Sequence, residues 1–404
     1  MGSRACVALL SRKCYSVDGS GAAIYIVGLG DYLQELNPDL SVVVLGFNSA
    51  SFIGSCIASV ADQTRVRVQL IVVDNGSSDD TYRAAKKAMG DREWGSCIRS
   101  ELALGFAEGC NLGASYAKGN ILLFLNDDCV LEEGALVKFS EAFDGQYVGV
   151  VGLGLADGGG TKWDTLGHFV DTNGYLCDVG RGVRRVAGLP PMIRVFGVGG
   201  AALGIRRSLF DSLGGFDERM EFLFEETDLC WRANLAGVEI YVLTDAVALH
   251  KHLSRYSSLQ EARSRESEFF YETRNRVRAI IKNFEARSAV RALGWQVAGR
   301  LALVGVLLLS GRWRASRDVC RGLLWNLVHL DDSIRARRYV RNTRLVSDAA
   351  LVSAGLIGVS SVKSMFAARR GSVPFSEVRR RAWQGNGSLA WRARELVELL
   401  GQGL

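Results

Sequence analysis

Residues 121–128 read ILLFLNDD, five apolar positions that end on an amide and two carboxylates. An unbroken apolar run of strand length, rather than an alternating one, fits a strand covered on both faces, as in a parallel sheet. Working outward, 68–74 (VQLIVVD) and 41–48 (SVVVLGFN) repeat the pattern, each an apolar run opening into polar residues. A weaker strand is expected at 97–99, and helical stretches near 51–61, 80–89, 105–117 and 132–143 lie between and after these runs. That alternation implies right-handed βαβ units, hence an α/β domain with a mainly parallel sheet and helices on both faces. Ligands of such sheets bind beyond the carboxyl ends of the strands. Phe47, Asn48, Asp74, Asn75, Asn126, Asp127 and Asp128 would share that edge.

Further on, the apolar segment 195–205 (VFGVGGAALGI) leads to GFDERMEFLFEETDLCW at 215–231, a loop entering a helix. A last strand, 239–243, is expected to end at Thr244-Asp245, just ahead of His250 and His252. From about 261 the pattern is helical and basic. Phe270, Val277, Ile281 and Phe284 fall on one face of the first such helix, and five of the eight tryptophans follow. The organisation reads as an N-terminal extension (1–39), an α/β domain (40–255) and a basic helical region (256–404).

The chain has 404 residues, room for roughly two to three domains. Its 48% hydrophobic and 23% charged residues form an ordinary globular balance, which excludes wholesale disorder and a polytopic membrane protein. The net +6 hides two unlike halves: 21 Lys+Arg against 31 Asp+Glu up to His250, and 28 against 12 from Lys251 onward. An acidic half disfavours nucleic acid and can hold a cation; a basic half attracts phosphate-rich partners or an anionic membrane. Nine cysteines without a CxxC pair point to reduced thiols in a cytosolic setting. The uncharged runs 301–311 and 349–362 are 11 and 14 residues long, too short to span a bilayer, and favour core or interfacial helices.

Several residues here have the chemistry of a site. Asn126-Asp127-Asp128 offers hard oxygen ligands for Mg²⁺ or Mn²⁺, with diphosphate oxygens completing the shell; a solvated turn capping the next helix accounts for it equally well. Asp74 can accept hydrogen bonds from a base or ribose, while Asn75-Gly76 is turn chemistry in any setting. Glu225, Glu226 and Asp228 open a helix, where acidic residues complement the dipole, and Asp228 can pair with Arg232. Two adjacent glutamates behind Phe222-Leu223-Phe224 exceed that need, since desolvation there would raise a carboxylate toward the range of a general base. His250 offers a neutral imidazole to the same metal. Gly28-Leu29-Gly30 suggests a dinucleotide site only weakly, because position 33 is Leu33.

Taken in order, SVVVLGFNS, VVDNGSSDDT, GFAEGCNLGASYAKGNILLFLNDD, GGAALGIRRSLFDSLGGFDERMEFLFEETDLCWRANLAG and TDAVALHKH resemble the inverting family 2 glycosyltransferases of GT-A, Rossmann-like fold, and in the last two blocks their rhamnosyltransferase-like branch. The resemblance covers about residues 41–252. It implies that Asn126-Asp127-Asp128 corresponds to the DxD-type motif, with Asp128 a metal ligand, and that His250 completes the metal site. Asp74 and Asn75, with Phe47-Asn48 and Asn111, would contact the nucleotide. Glu226 stands where the family usually has the aspartate that serves as catalytic base. It is one methylene longer, so Glu225 and Asp228 remain candidates, and Ala103 stands where relatives commonly have Asn.

The function so implied is metal-dependent transfer, with inversion, from a nucleotide-diphosphate sugar to a glycan or lipid-linked acceptor. The cofactor would be Mg²⁺ or Mn²⁺. Arg335, Arg337, Arg338, Arg341 and Arg344, with Arg379-Arg380-Arg381, would make 256–404 a peripheral contact to the inner face of a cell membrane; a solvated helical region or a homo-oligomer interface fits the same charge. Nucleic acid is not an expected partner. Rival readings are a sugar-nucleotide nucleotidyltransferase and a non-catalytic sugar-nucleotide binding module.

Overall fold

The computed structural model describes residues 15–17, 23–25, 38–63, 65–145, 148–253 and 265–359. Strands β1 (Tyr15–Val17) and β2 (Ala23–Tyr25) form a separate antiparallel ribbon. The main sheet begins with four parallel strands: β3 (Leu40–Gly46), β4 (Val68–Asp74), β5 (Gly95–Arg99) and β6 (Ile121–Asn126). Between them run helices α1 (Ile53–Ala61), α2 (Thr81–Met89) and α3 (Phe106–Ser115). These match the runs expected from sequence. The reason is visible in β3 and β6: Val42, Val44, Leu123 and Leu125 face one core, while Val43, Leu122 and Phe124 face another. Both faces are buried, so no polar alternation appears.

The sheet continues past β6 with mixed polarity. Its further strands are β7 (Cys129–Leu131), β8 (Val148–Asp157), β9 (Trp163–Thr165), β12 (Met192–Arg194), β13 (Ala202–Arg206) and β14 (Glu239–His250). The order is β12-β14-β8-β13-β6-β3-β4-β5, with β7 on β14 and β9 on β8. Strand β13 runs antiparallel to both β6 and β8. Strand β14 runs through His250 rather than stopping at 243, its register with β8 broken by an irregularity between Val242 and Val247. Thr244 and Asp245 are that irregularity, so turn-like residues there mark a bulge and not a strand end.

A second small sheet joins β10 (His168–Asp171), β11 (Leu176–Asp178) and β15 (Ile357–Gly358). Helices α4 (Ala135–Glu141), α5 (Arg207–Ser212) and α6 (Glu225–Leu235) belong to the α/β part. The basic region forms α7 (Arg265–Asn283), α8 (Ala286–Leu309), α9 (Trp313–Val328), α10 (Leu330–Thr343) and α11 (Asp348–Ser353). It is not a separate body. Trp231 of α6 packs edge-on against Phe284, ring centroids 4.6 Å apart, in a core shared with Phe196 and Val340, and Ile357 pairs with Val170.

Two expectations for the basic region change. The run 301–311 is the end of a 24-residue helix, because Arg300 interrupts the uncharged stretch in sequence while lying buried on the packed side. In the cluster 335–344, Arg337 donates to the carbonyls of Ile281 and Phe284, and Arg344 to that of Asn283 and to Asp348. Those two arginines cap the end of α7 and do not form an outward surface; Arg338 and Arg341 are exposed. Arg379-Arg380-Arg381 lies outside the described residues.

Candidate active site

The parallel strands end level. Leu45 pairs with Asn126 and Gly46 with Asp74, so the polar residues that follow each strand converge. Helix α3 is drawn close to the sheet because Gly113 has no side chain: a Cβ there would lie 2.3 Å from Val43 Cγ1. The edge opens into a cavity of about 370 Å³. Phe47, Asn75, Asn126, Asp127, Glu225, Glu226 and His250 all line it.

At the β6 end, Asp127 accepts the Phe47 N–H at 3.2 Å. Burial, reinforced by neighbouring Asp128, pushes its carboxyl up to about 7. Asp128 is 1% exposed and faces the other way, its Oδ1 3.5 Å from His250 Nε2. Strand pairing makes this contact, since β7 places Cys129 opposite His250. Asp164, in β9, accepts from His250 Nδ1 at 2.9 Å and sits 3.2 Å from His252 Nε2. Burial pushes Asp164 up, but the hydrogen bonds from the two histidines outweigh it and hold this carboxyl below the usual range.

Ligand atoms of Asp128, Cys129 and His250 lie within 4.8 Å of one another, as do those of Asp164, His250 and His252. Carboxylate oxygen with imidazole nitrogen suits a divalent transition metal, and the residues present fit one. Asp164 and His252 were missed from the sequence. The His-x-His spacing at 250–252 was a usable signal; nothing local marks Asp164.

On the opposite wall, the segment before α6 is unusual. Glu221, Leu223 and Phe224 have φ of 52°, 67° and 77°, a left-handed region that side chains rarely adopt. The turn delivers Glu225 and Glu226 to the cavity. Burial pushes Glu226 up to about 7. Glu225 is pushed well above the usual carboxylate range, by burial first and then by Glu226, and its Oε2 has no hydrogen-bond partner among the described residues. Gly200 is placed against Glu226, whose Cβ and Cγ are 3.4 Å from where a Gly200 side chain would begin.

Four expected site residues are directed elsewhere. Asp228 is fully buried one helical turn in, accepting from Arg232 Nε at 2.8 Å, Lys282 Nζ at 2.7 Å and Asn283 at 2.8 Å. Its carboxylate belongs to an ion cluster behind the cavity and cannot serve as base there. Asn111 points away too, exchanging hydrogen bonds with the Phe216 backbone at 3.0 Å and reaching Glu218. Asp74 is sealed, its Oδ1 accepting the Ser77 N–H and its Oδ2 3.4 Å from Arg99, so Asn75 is the member of that pair that faces the cavity. The Asn48 side chain accepts from the N–H of Ser78 and ties two loops together.

From the basic region, Glu268 and Tyr271 of α7 also line the cavity, as do Asp178 and Arg181. Long-range packing brings them there, and sequence proximity gave no hint of it.

An acidic cavity with a raised carboxyl and a metal-ready cluster thus lies at the carboxyl edge of the sheet, where α/β folds bind their ligands. Residues 41–214, somewhat under half of the chain, match Glycosyl transferase family 2. The chain is 32% identical over 120 residues to an uncharacterized protein, MT1568, of Mycobacterium tuberculosis, covering 29% of this chain and 36% of that protein. It is 31% identical over 113 residues to a PGL/p-HBAD biosynthesis glycosyltransferase of Mycobacterium bovis, covering 27% and 43%. These alignments span 36% and 43% of the relatives' length. The fold is similar to the crystal structure of S. aureus TarS 1-349 in complex with UDP-GlcNAc, with TM-score 0.50, 17% identity and coverage of 90% of this chain and 92% of that one.

Proposed function

We propose that the chain moves a sugar from a nucleotide-diphosphate donor to a glycan or lipid-linked acceptor, inverting the anomeric centre. The observation that carries this reading is that Glu226 and His250 line one cavity, so a raised carboxyl and the metal-ready cluster face the same space. Phe47 and Asn75 offer a ring and an amide to the nucleoside, and Asn126 and Asp127 face the diphosphate end. A divalent cation held by Asp128 and His250, with Asp164 and His252 behind, would supply positive charge to the leaving diphosphate.

Glu226 takes the proton from the acceptor hydroxyl as its oxygen attacks the anomeric carbon and the bond to diphosphate breaks. One base and one displacement give inversion, whereas hydrolytic glycosidases need a pair of carboxylates flanking the bond. Glu225, more deeply buried and pushed well above the usual carboxylate range by that burial and by Glu226, is the weaker candidate. Support for a nucleotide-sugar donor comes from the family and from the UDP-GlcNAc carried by the structure of similar fold.

The test is a panel of nucleotide sugars with Mn²⁺ or Mg²⁺, following nucleotide release with and without chelator and the anomeric configuration of the product. Release from at least one donor that Glu226→Gln abolishes is expected. No release from any donor, or release unchanged in that variant, would overturn the reading.

A further inference from the structure

We propose that the hairpin formed by the end of α8 and the start of α9 docks onto an anionic lipid bilayer and holds the mouth of the cavity at the membrane surface. From Leu301 to Leu309 the helix carries no charge. Among the described residues, Leu301, Val306, Leu308 and Leu309 of this stretch are exposed, Leu309 at 92%. The chain turns at Ser310-Gly311 and re-enters with Trp313, 57% exposed. Leu324, Leu327 and Val328 extend the apolar surface along α9. The hairpin has its own packed side, Leu307 against Ala315 and Val319. The outward leucines are therefore a second apolar set, beyond what holding the hairpin together requires.

Charge names the partner. Between Leu301 and Val328 there are four arginines, at 312, 314, 317 and 321, and one acid, Asp318, which is buried. Arg314 and Arg317 lie over the Trp313 ring at 5.1 and 5.9 Å. Cations rimming protruding leucines and an amphipathic tryptophan match an interface that is anionic outside and apolar beneath. An acidic protein or nucleic acid would satisfy the arginines and leave the leucines in water.

Position ties this surface to the cavity. Phe269 of α7, like Leu303 and Val304, packs against the Leu307 cluster, and it carries the Arg312 guanidinium 5.3 Å above its ring. Its near neighbours Glu268 and Tyr271 line the cavity. One turn of α7 thus joins the docking surface to the site, which suits a lipid-linked acceptor; only this last point rests on the transferase reading.

Helix α8 is long and apolar enough to cross a bilayer, yet it is anchored as far as residue 300. Gln296 donates to the Asn173 carbonyl at 2.7 Å and buried Arg300 pairs with Glu272 at 3.3 Å. A span would tear out both contacts and carry Arg300 into hydrocarbon, so the tip lies in the interface instead.

The test uses the intact chain in sedimentation with phosphatidylcholine vesicles, with and without phosphatidylglycerol. The chain is expected to pellet with the anionic vesicles. Leu309→Asp combined with Leu327→Asp, or Arg314→Glu combined with Arg317→Glu, should each cut partitioning by about tenfold or more, with circular dichroism and vesicle-free nucleotide release unchanged. Equal pelleting of variants and parent, or no pelleting of the parent, overturns the proposal. So does a variant that turns a dimer into a monomer by light scattering without affecting vesicles, which would make the face a contact between two copies. Because pelleting needs no substrate, vesicle binding without sugar transfer would count against the transferase reading alone.

Discussion

The Asn275 side-chain amide lies 2.6 Å from the carbonyl oxygen of Leu223, and 2.7 and 2.8 Å from those of Met220 and Phe222. Leu223 and Phe224 hold left-handed backbone conformations that cost on the order of 1–3 kcal/mol each. Asn275 stands in α7, and Arg274 beside it donates to Met220 as well. The basic helical region therefore clamps the strained turn that aims Glu225 and Glu226 into the cavity, so the site is built by both parts of the chain.

Asn275→Ala leaves three carbonyls without this donor. It is expected to destabilise the fold by about 2 kcal/mol and to lower kcat by about 10- to 100-fold while leaving the KM for donor nearly unchanged. Thermal unfolding and steady-state kinetics check both halves.

Glu226→Gln is expected to lower transfer by about 10²- to 10⁴-fold. Because Glu226 titrates near 7, kcat/KM of the parent should rise by about tenfold per pH unit below that value and level off above it. The stability effect has the opposite sense. A carboxyl raised on folding contributes stability below its unfolded pKa and loses it as pH rises through the folded value. The Gln variant should thus melt higher than the parent at pH 8, with the difference vanishing near pH 4.

Asp164→Asn keeps the shape of the residue beside His250 and His252 but removes its charge. Calorimetric titration with Mn²⁺ should show an affinity loss of about 10- to 100-fold, and Asp128→Asn a larger one. Unchanged Mn²⁺ binding in both variants would remove this cluster as the metal site.

Asp228→Ala leaves Lys282 and Arg232 buried with one partner fewer. It is expected to cost about 3–5 kcal/mol, read by denaturant unfolding, whereas Glu226→Gln costs nothing of that kind. The Asp228 carboxyl is lowered on folding: burial raises it, and Lys282 and then Arg232 more than reverse that. Its contribution to stability is present above the unfolded pKa and lost in acid, so the parent should unfold steeply only below about pH 4.

Much of the parallel half of the sheet was readable in sequence, because β3, β4 and β6 are apolar on both faces and their ends carry the polar residues. The same local reading grouped Asn48, Asp74 and Asp228 with the site, since neighbours along a strand end or first helical turn look equivalent until their side chains are aimed; Asn111 entered through the resemblance alone. In α6, Glu225 and Glu226 line the cavity from the first turn, while Asp228, though on nearly the same helix face as Glu225, is held by Arg232, Lys282 and Asn283; those partners, two of them in α7, separate the carboxylates.

By itself the sequence determined the α/β core and the carboxylates available at the sheet edge, because apolar runs and short polar blocks are local properties. Tertiary structure decided which carboxylate faces the cavity, that Asp164 and His252 join His250, and that α7 holds the turn before Glu225. Those depend on contacts such as Asn275 to Leu223, more than fifty residues apart along the chain, and long-range packing leaves no periodic signature in sequence.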